Sequence, residues 1–282
     1  LSSLVLCFLF PWLSHRTGLQ AREELELTCL SVGHGQAAVL STPTGEYRLF
    51  DAGSITNQDI ARKIIAPYLQ HRRVFALDAV YLSHGDLDHL NALPDIAAAV
   101  PIRSICGNAV FRANARLPSL EKSLCDRLMQ LGHTLDPIEN CRSGPIRIRS
   151  LWPTADIVDT ALSENNRSEV VLVEYAGRRI LLCGDIESAA QRKLLERYPQ
   201  LKADVMLLPH HGSTTNLDTR FIDQLSPQIV IASCSGRHAA NLYHPPAQSS
   251  RQCLYTAVDG AVTVKIKADG TLGAAGFLTS RK

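Results

Sequence analysis

The chain predicts a layered α/β fold, an αββα sandwich or something near it, from three observations. Short apolar runs read as strands, they open as hairpin-like neighbours and later alternate with helical patterns, and aspartate and histidine recur where strands end. Strand-like runs fall at residues 25–30, 37–40, 47–50, 79–82, 146–151, 170–175, 179–183, 205–208, 229–233 and 262–266. Helical periodicity covers 58–70, 93–100, 117–131, 188–198, 218–225 and, more weakly, 247–257. Thr42-Pro43-Thr44-Gly45 is a turn signal between the second and third strands. Mixed sheets with helices outside satisfy this order, and no low-complexity linker or internal repeat asks for a second domain.

Bulk properties exclude little but set the frame. The 282 residues are enough to bury a sizeable core. Lys+Arg number 29 against 27 Asp+Glu, a balance of +2, so no global electrostatic footprint for nucleic acid is visible, although a local basic groove is not excluded. Arg72, Arg73, Arg147 and Arg149 could track a phosphate backbone, but such residues are more often solvated. The 8 cysteines contain no Cys-x-x-Cys pair, which argues against a zinc ribbon or a dithiol redox site. Several sit in apolar runs as small hydrophobes, while Cys106, Cys125 and Cys141 leave bridging open.

Residues 1–13 are apolar and uncharged, and Ser14-His15-Arg16 then turns polar. That run is shorter than the about 20 residues a bilayer needs. It reads as the tail of a transmembrane helix with Trp12 and Arg16 at the interface, or as part of a signal peptide. A missing basic n-region and small-residue cleavage site favour the first. We therefore expect 1–22 to be the end of a membrane helix and linker, and 23–282 to be one soluble domain hung from a membrane.

The densest chemistry is Tyr81-Leu82-Ser83-His84-Gly85-Asp86-Leu87-Asp88-His89, two imidazoles and two carboxylates directly after an apolar strand. In extended or turning backbone, residues two apart point the same way, so His84, Asp86 and Asp88 can converge while His89 swings in from the turn. Asp51 follows the strand 47–50, with Gly53 permitting a tight turn, and Gly184-Asp185 follows 179–183. His210-His211-Gly212-Ser213 closes 205–208, and Asn241-Leu242-Tyr243-His244 follows 229–233 and its loop. An isolated Asp-Gly turn is usually only a turn, and a lone histidine is more often surface or core than ligand. Repeated at the same end of successive strands, where a cleft forms, they point to a metal site.

These motifs resemble the metallo-β-lactamase superfamily, and within it the C-terminal domain of ComEC-type DNA-internalisation competence proteins. The likeness runs from about Glu24 to Gly276 and includes Val32-Gly33-His34-Gly35-Gln36-Ala37 and Asn165-Asn166-Arg167-Ser168. It implies a metallo-β-lactamase-like αββα sandwich with a one- or two-metal hydrolytic site. There are departures. Asp86 stands where the superfamily usually has histidine, as in the ComEC branch. The family's middle histidine has no clear match, since His133 in Leu131-Gly132-His133-Thr134 reads as a helix cap. Gly33-His34-Gly35-Gln36 replaces a Gly-Gln-Gly-Asp loop, so a carboxylate is missing, and Tyr243 and His244 adjoin where a glycine commonly intervenes.

On this resemblance Asp88, His89, Asp185 and one of His210 and His211 hold the better-formed site. His84 and Asp86, with Asp185 bridging, hold a second ion. The carboxylate-rich set suits Mn²⁺ as well as Zn²⁺. A bound ion makes water nucleophilic and neutralises developing charge. Asp88 belongs with the catalytic residues, Asp51 orients a ligand imidazole or water, and Ser213, Asn241, Tyr243 and His244 contact phosphate or protonate a leaving oxygen. The implied function is a metal-dependent phosphodiesterase or nuclease acting on single- or double-stranded DNA during uptake. Its implied partners are the membrane channel portion of the same polypeptide and other competence proteins, on the periplasmic or outer side of the bacterial inner membrane. A metal hydrolase of a small ester or lactone and a catalytically silent DNA-guiding domain are the alternatives.

Overall fold

A computed structural model describes residues 24–108, 120–138, 141–154, 162–236 and 241–280, so the expected membrane-helix end at 1–22 lies outside the described residues. Two sheets face each other. The first has the order β15-β14-β1-β2-β3-β4-β5-β6, built from β1 (Glu24–Cys29), β2 (Ala38–Ser41), β3 (Tyr47–Phe50), β4 (Ala79–Leu82), β5 (Ile105–Gly107), β6 (Leu135–Pro137), β14 (Val262–Lys267) and β15 (Leu272–Gly276). The second has the order β13-β12-β11-β10-β9-β8-β7, from β7 (Cys141–Ser143), β8 (Ile146–Trp152), β9 (Val170–Tyr175), β10 (Arg178–Leu182), β11 (Val205–Leu207), β12 (Ile229–Ala232) and β13 (Gln252–Tyr255). Each sheet is antiparallel on one side and parallel on the other: β3 to β6 run parallel, as do β10 to β13.

Alternation along the strands builds the layers. Leu25, Leu27, Val264 and Ile266 of the first sheet meet Ile148, Val173, Leu207 and Ile231 of the second in one core. The opposite side chains of the first sheet, such as Val39, Leu49 and Val80, pack beneath helices carrying Ile65, Leu69 and Ile96. On the second sheet Leu172, Leu181 and Met206 pack beneath Leu194, Phe221 and Ile222. The result is the four-layer sandwich the sequence predicts.

Several elements differ from expectation. Residues 247–255 are not helical: β13 occupies Gln252–Tyr255 beside β12, and only a single helical turn, Thr256–Asp259, follows it. Leu254 enters the inter-sheet core, and that burial overrides the helical look of the segment. The helix expected at 58–70 begins as a π turn, Ala61–Ile65, before α1 (Ala66–His71). Pro67 lacks an N–H and cannot join a regular i−4 ladder there. Cys106 and Cys125, left open for bridging, are free buried thiols. No helix among the described residues is long and apolar enough to cross a membrane.

Candidate metal centre

The C-terminal ends of β3 and β4 in one sheet meet those of β10 and β11 in the other. Asp51 follows β3, Ser83 and His84 follow β4, Asp185 follows β10 and His211 follows β11. Loops from the two sheets are tied together at this end, where Ser233 Oγ donates to Gly35 O at 2.7 Å and Glu169 N donates to Ser83 O at 2.8 Å.

The period-two alternation stops at Asp86. That residue is the extended N-cap (ψ 146°) of a single helical turn, α2 (Leu87–Leu90), so Asp88 and His89 diverge by about 100° around a helix axis. Two groups of donors result: His34, Asp88 and His211, and His84, His89 and Asp185. In the first, His211 Nε2 lies 3.3 Å from Asp88 Oδ2, and in the second His89 Nε2 lies 3.2 Å from Asp185 Oδ1. Asp185 touches both, its Oδ2 being 3.6 Å from His211 Nε2.

These donors fit a cation better than they fit one another. Charge-assisted hydrogen bonds close to about 2.7–2.9 Å, whereas donors around a tetrahedral ion at 2.0–2.2 Å stand ~3.4 Å apart. His84 Nε2 and Asp185 Oδ1 are buried with no hydrogen-bond partner, although comparable buried polar atoms are nearly always satisfied. A cation held between them would satisfy both.

The surroundings set the tautomers. Asp51, 1% exposed, accepts from Ser83 N and Oγ (both 2.8 Å), from Gln36 Nε2 (2.8 Å) and from His89 Nδ1 (2.8 Å). Its hold on Nδ1–H aims His89 Nε2 at the cluster, where a metal would replace its proton. Ser83 gives its one hydroxyl proton to Asp51, so His84 Nδ1, 2.9 Å away, donates to Ser83 Oγ and His84 Nε2 keeps its lone pair. The amide of Gln36 thus stands where the family loop has a carboxylate, and supplies Asp51 with a donor instead of a like charge.

Electrostatics follow from proximity. Burial opposes charge on His89, but Asp185 and Asp51 outweigh it and hold the imidazole well above its usual range. Burial likewise pushes Asp185 up, and the adjacent His89 and His211 more than reverse this, holding it well below the carboxylate range. For Asp88, burial again is overcome, by the His211 hydrogen bond and the nearby His89, and the carboxyl falls to about 2. An arriving metal ion therefore meets carboxylates already ionised and a proton to displace from His89.

The remaining site candidates are placed as follows. Asp86 is half exposed with Oδ2 3.5 Å from His84 Nε2, at the edge of the second group. His210 and His211 both take left-handed backbone (φ 49° and 56°), which costs about 1–2 kcal/mol per residue. This inversion turns His211 inward, while His210 faces Asn216 (Nδ1 to Nδ2, 3.4 Å) and Glu187 (3.9 Å). Tyr243 has its hydroxyl on Arg251, and the exposed His244 bonds through Nδ1 to Tyr255 Oη at 2.9 Å. Ser213 forms a backbone bridge with Leu242, and Asn241 O accepts from Thr214 Oγ1 at 3.1 Å. His133 sits at a helix end, its N–H on Leu128 O beside Gly132 (φ 87°). Arg72 pairs with Glu26 and Arg149 with Glu174, so neither is free to track a phosphate backbone.

Residues passed over in the sequence are His34, Ser83 and Glu169. The signal for His34 was present, a histidine between two glycines after the first strand. Glu169 lies behind the cluster with Gln36, Asp51 and Ser83 around one small cavity. Its burial raises the carboxyl to about 8, against a hydrogen bond from Ser150 that favours the ionised form. Because the folded value is raised, the stability it contributes is fully present below about pH 4.5 and lost as pH rises through about 8. Glu169→Gln is expected to melt above the unaltered chain near pH 9 and no higher than it near pH 4. Parallel melting curves across that range would refute this.

Comparison with known proteins agrees with the geometry. A family model described as the metallo-beta-lactamase superfamily matches residues 32–121. ComE operon protein 3 of Bacillus subtilis (strain 168) is 26% identical over 267 residues, covering 89% of this chain and 32% of that protein. Competence protein ComA of Neisseria gonorrhoeae is 26% identical over 239 residues, covering 84% of this chain and 30% of its own length. The chain thus spans about a third of the length of the curated relatives it matches. Among solved structures, a variant of the CmlA beta-hydroxylase aligns with a TM-score of 0.50 at 13% identity, over 86% of this chain and 54% of that one. Motifs, sequence likeness and four-layer architecture converge on a metallo-β-lactamase-like fold, and residues 32–121 match the model of that superfamily.

Proposed function

We propose that the chain is a metal-dependent hydrolase of phosphodiester bonds that acts on DNA during its uptake. The observation that carries this reading is the pair of His/Asp groups sharing Asp185 where the two sheets meet. Asp88, His211 and Asp185 would hold one ion, and His84, His89 and Asp185 another, with Asp86 beside it. Bound Mn²⁺ or Zn²⁺ supplies Lewis acidity and lowers the pKa of its water toward ~7. The protein's own part is positional. Asp51 and Ser83 fix the His89 and His84 tautomers, and Asp88, ionised far below neutral pH, offers a permanent charge at the mouth. In this reading the partly exposed His210 and the exposed His244 meet a substrate oxygen.

DNA as substrate is supported by the likeness to a protein named for competence. A tether at 1–22 would keep the domain by a membrane channel in the same polypeptide, on the outer side of the inner membrane, among other competence proteins. The purified chain, stripped with chelator and reloaded with Mn²⁺ or Zn²⁺, is expected to cut single- or double-stranded DNA and to stop when chelator returns. Turnover of small esters or lactones with DNA untouched would replace this substrate. DNA binding with no bound metal would replace the enzyme with a guiding domain.

A further inference from the structure

We infer that His34 is a metal ligand of this chain, a further protein donor to the ion that Asp88, His211 and Asp185 would hold; this rests on the hydrolase reading above. His34 Nε2 lies 3.6 Å from Asp88 Oδ2, and its ring centroid lies 4.7 Å from that of His211. With His211 Nε2 at 3.3 Å from the same oxygen, the separations bracket the ~3.4 Å edge of a tetrahedral site and exceed a closed ion pair.

The loop that carries His34 is built for the placement. His34 N donates to Thr56 Oγ1 at 2.7 Å, and Ile55 N donates to His34 O at 2.9 Å. Two residues on, Gln36 donates its N–H to Asp88 O at 3.0 Å, locking the loop onto the turn that presents Asp88. Gly33 (φ 89°) and Gly35 (φ 150°) make the approach possible, since a Cβ on Gly33 would come within 2.3 Å of Thr56 Oγ1 and one on Gly35 within 2.3 Å of Gly53 O. Its side chain is 20% exposed, an imidazole at the cleft mouth and not a surface tail. Between His89 and Asp185 the sequence has a single histidine, His133, which closes a helix and leaves this ion no other imidazole from that interval.

Equilibrium dialysis of the metal-free chain against Zn²⁺, read by elemental analysis, tests the assignment. The unaltered chain should hold two ions. His34→Ala and His34→Gln should each hold one tightly, with the other weakened by more than the ~10–100-fold that loss of an outer partner costs. In the unaltered chain the imidazole ¹⁵N resonances of His34 should shift on zinc addition, a readout independent of how the variants fold. Two ions at unchanged affinity in both variants, or an unmoved His34 resonance, overturns the ligand while leaving the hydrolase reading. An unaltered chain that takes up neither Zn²⁺ nor Mn²⁺ overturns both.

Discussion

Asp185→Asn is expected to abolish hydrolysis and to leave at most one weakly held ion, in a chain that still folds. Both donor groups depend on this carboxylate: Oδ1 stands 3.2 Å from His89 Nε2 and Oδ2 3.6 Å from His211 Nε2. It is 3% exposed, and its Oδ1 has no hydrogen-bond partner. An amide keeps the volume but removes the charge and replaces one acceptor with a donor pointed at imidazole. A metal supplies several kcal/mol of charge stabilisation, and each 1.36 kcal/mol is one decade, so turnover should fall by ~10³-fold or more. The fold should survive, because the His89 imidazole keeps its Asp51 carboxylate at 2.8 Å when the Asp185 charge is gone. Steady-state rates together with metal content decide the matter. Two retained ions and near-normal turnover would refute the shared-carboxylate geometry.

Gly53→Ala is expected to damage both fold and site. A Cβ there would lie 2.3 Å from the carbonyl carbon of Asp88, 2.4 Å from His89 N and 2.5 Å from Leu87 O, all backbone atoms of the turn that presents two candidate ligands. That turn cannot yield freely. Gln36 N donates to Asp88 O and Ala52 N to His89 O, which satisfies carbonyls a one-turn helix leaves open. Overpacking of this kind costs about 3 kcal/mol at the upper end of its usual range, or roughly 6–12 °C in Tm for a domain of this size. Thermal unfolding with and without Zn²⁺ should show the loss, with little metal-induced recovery. A variant that melts normally and binds zinc normally would show that the turn is softer than its hydrogen bonds indicate.

Legibility of the molecule in its sequence tracked the length and burial of each piece. The runs 47–50, 79–82 and 170–175 coincide with β3, β4 and β9, because continuous burial on both faces leaves an unbroken apolar signature. Ile105–Gly107, Leu135–Pro137, Cys141–Ser143 and the glycine- and alanine-rich Leu272–Gly276 went unread, being too short or too small-chained to show a period. In the site, type was easier than direction. The His84–His89 run announced metal chemistry, yet its alternation ended at Asp86, where helical geometry sends Asp88 and His89 to different groups. The choice within His210-His211 depended on left-handed backbone that no spacing rule reveals. In Gly33-His34-Gly35-Gln36 the absent carboxylate is what the sequence makes conspicuous, and only the folded loop brings the His34 imidazole within 3.6 Å of Asp88.

The candidate donors come from opposite sides of the sandwich: His84, Asp88 and His89 from one sheet's loops, Asp185 and His211 from the other's. A cation seated among them would act as a rivet through the whole stack. Unfolding then has to eject the rivet, and occupancy at a hundred times its dissociation constant adds about 2.7 kcal/mol of resistance. Metal supply would thus govern the endurance of this domain as well as its chemistry.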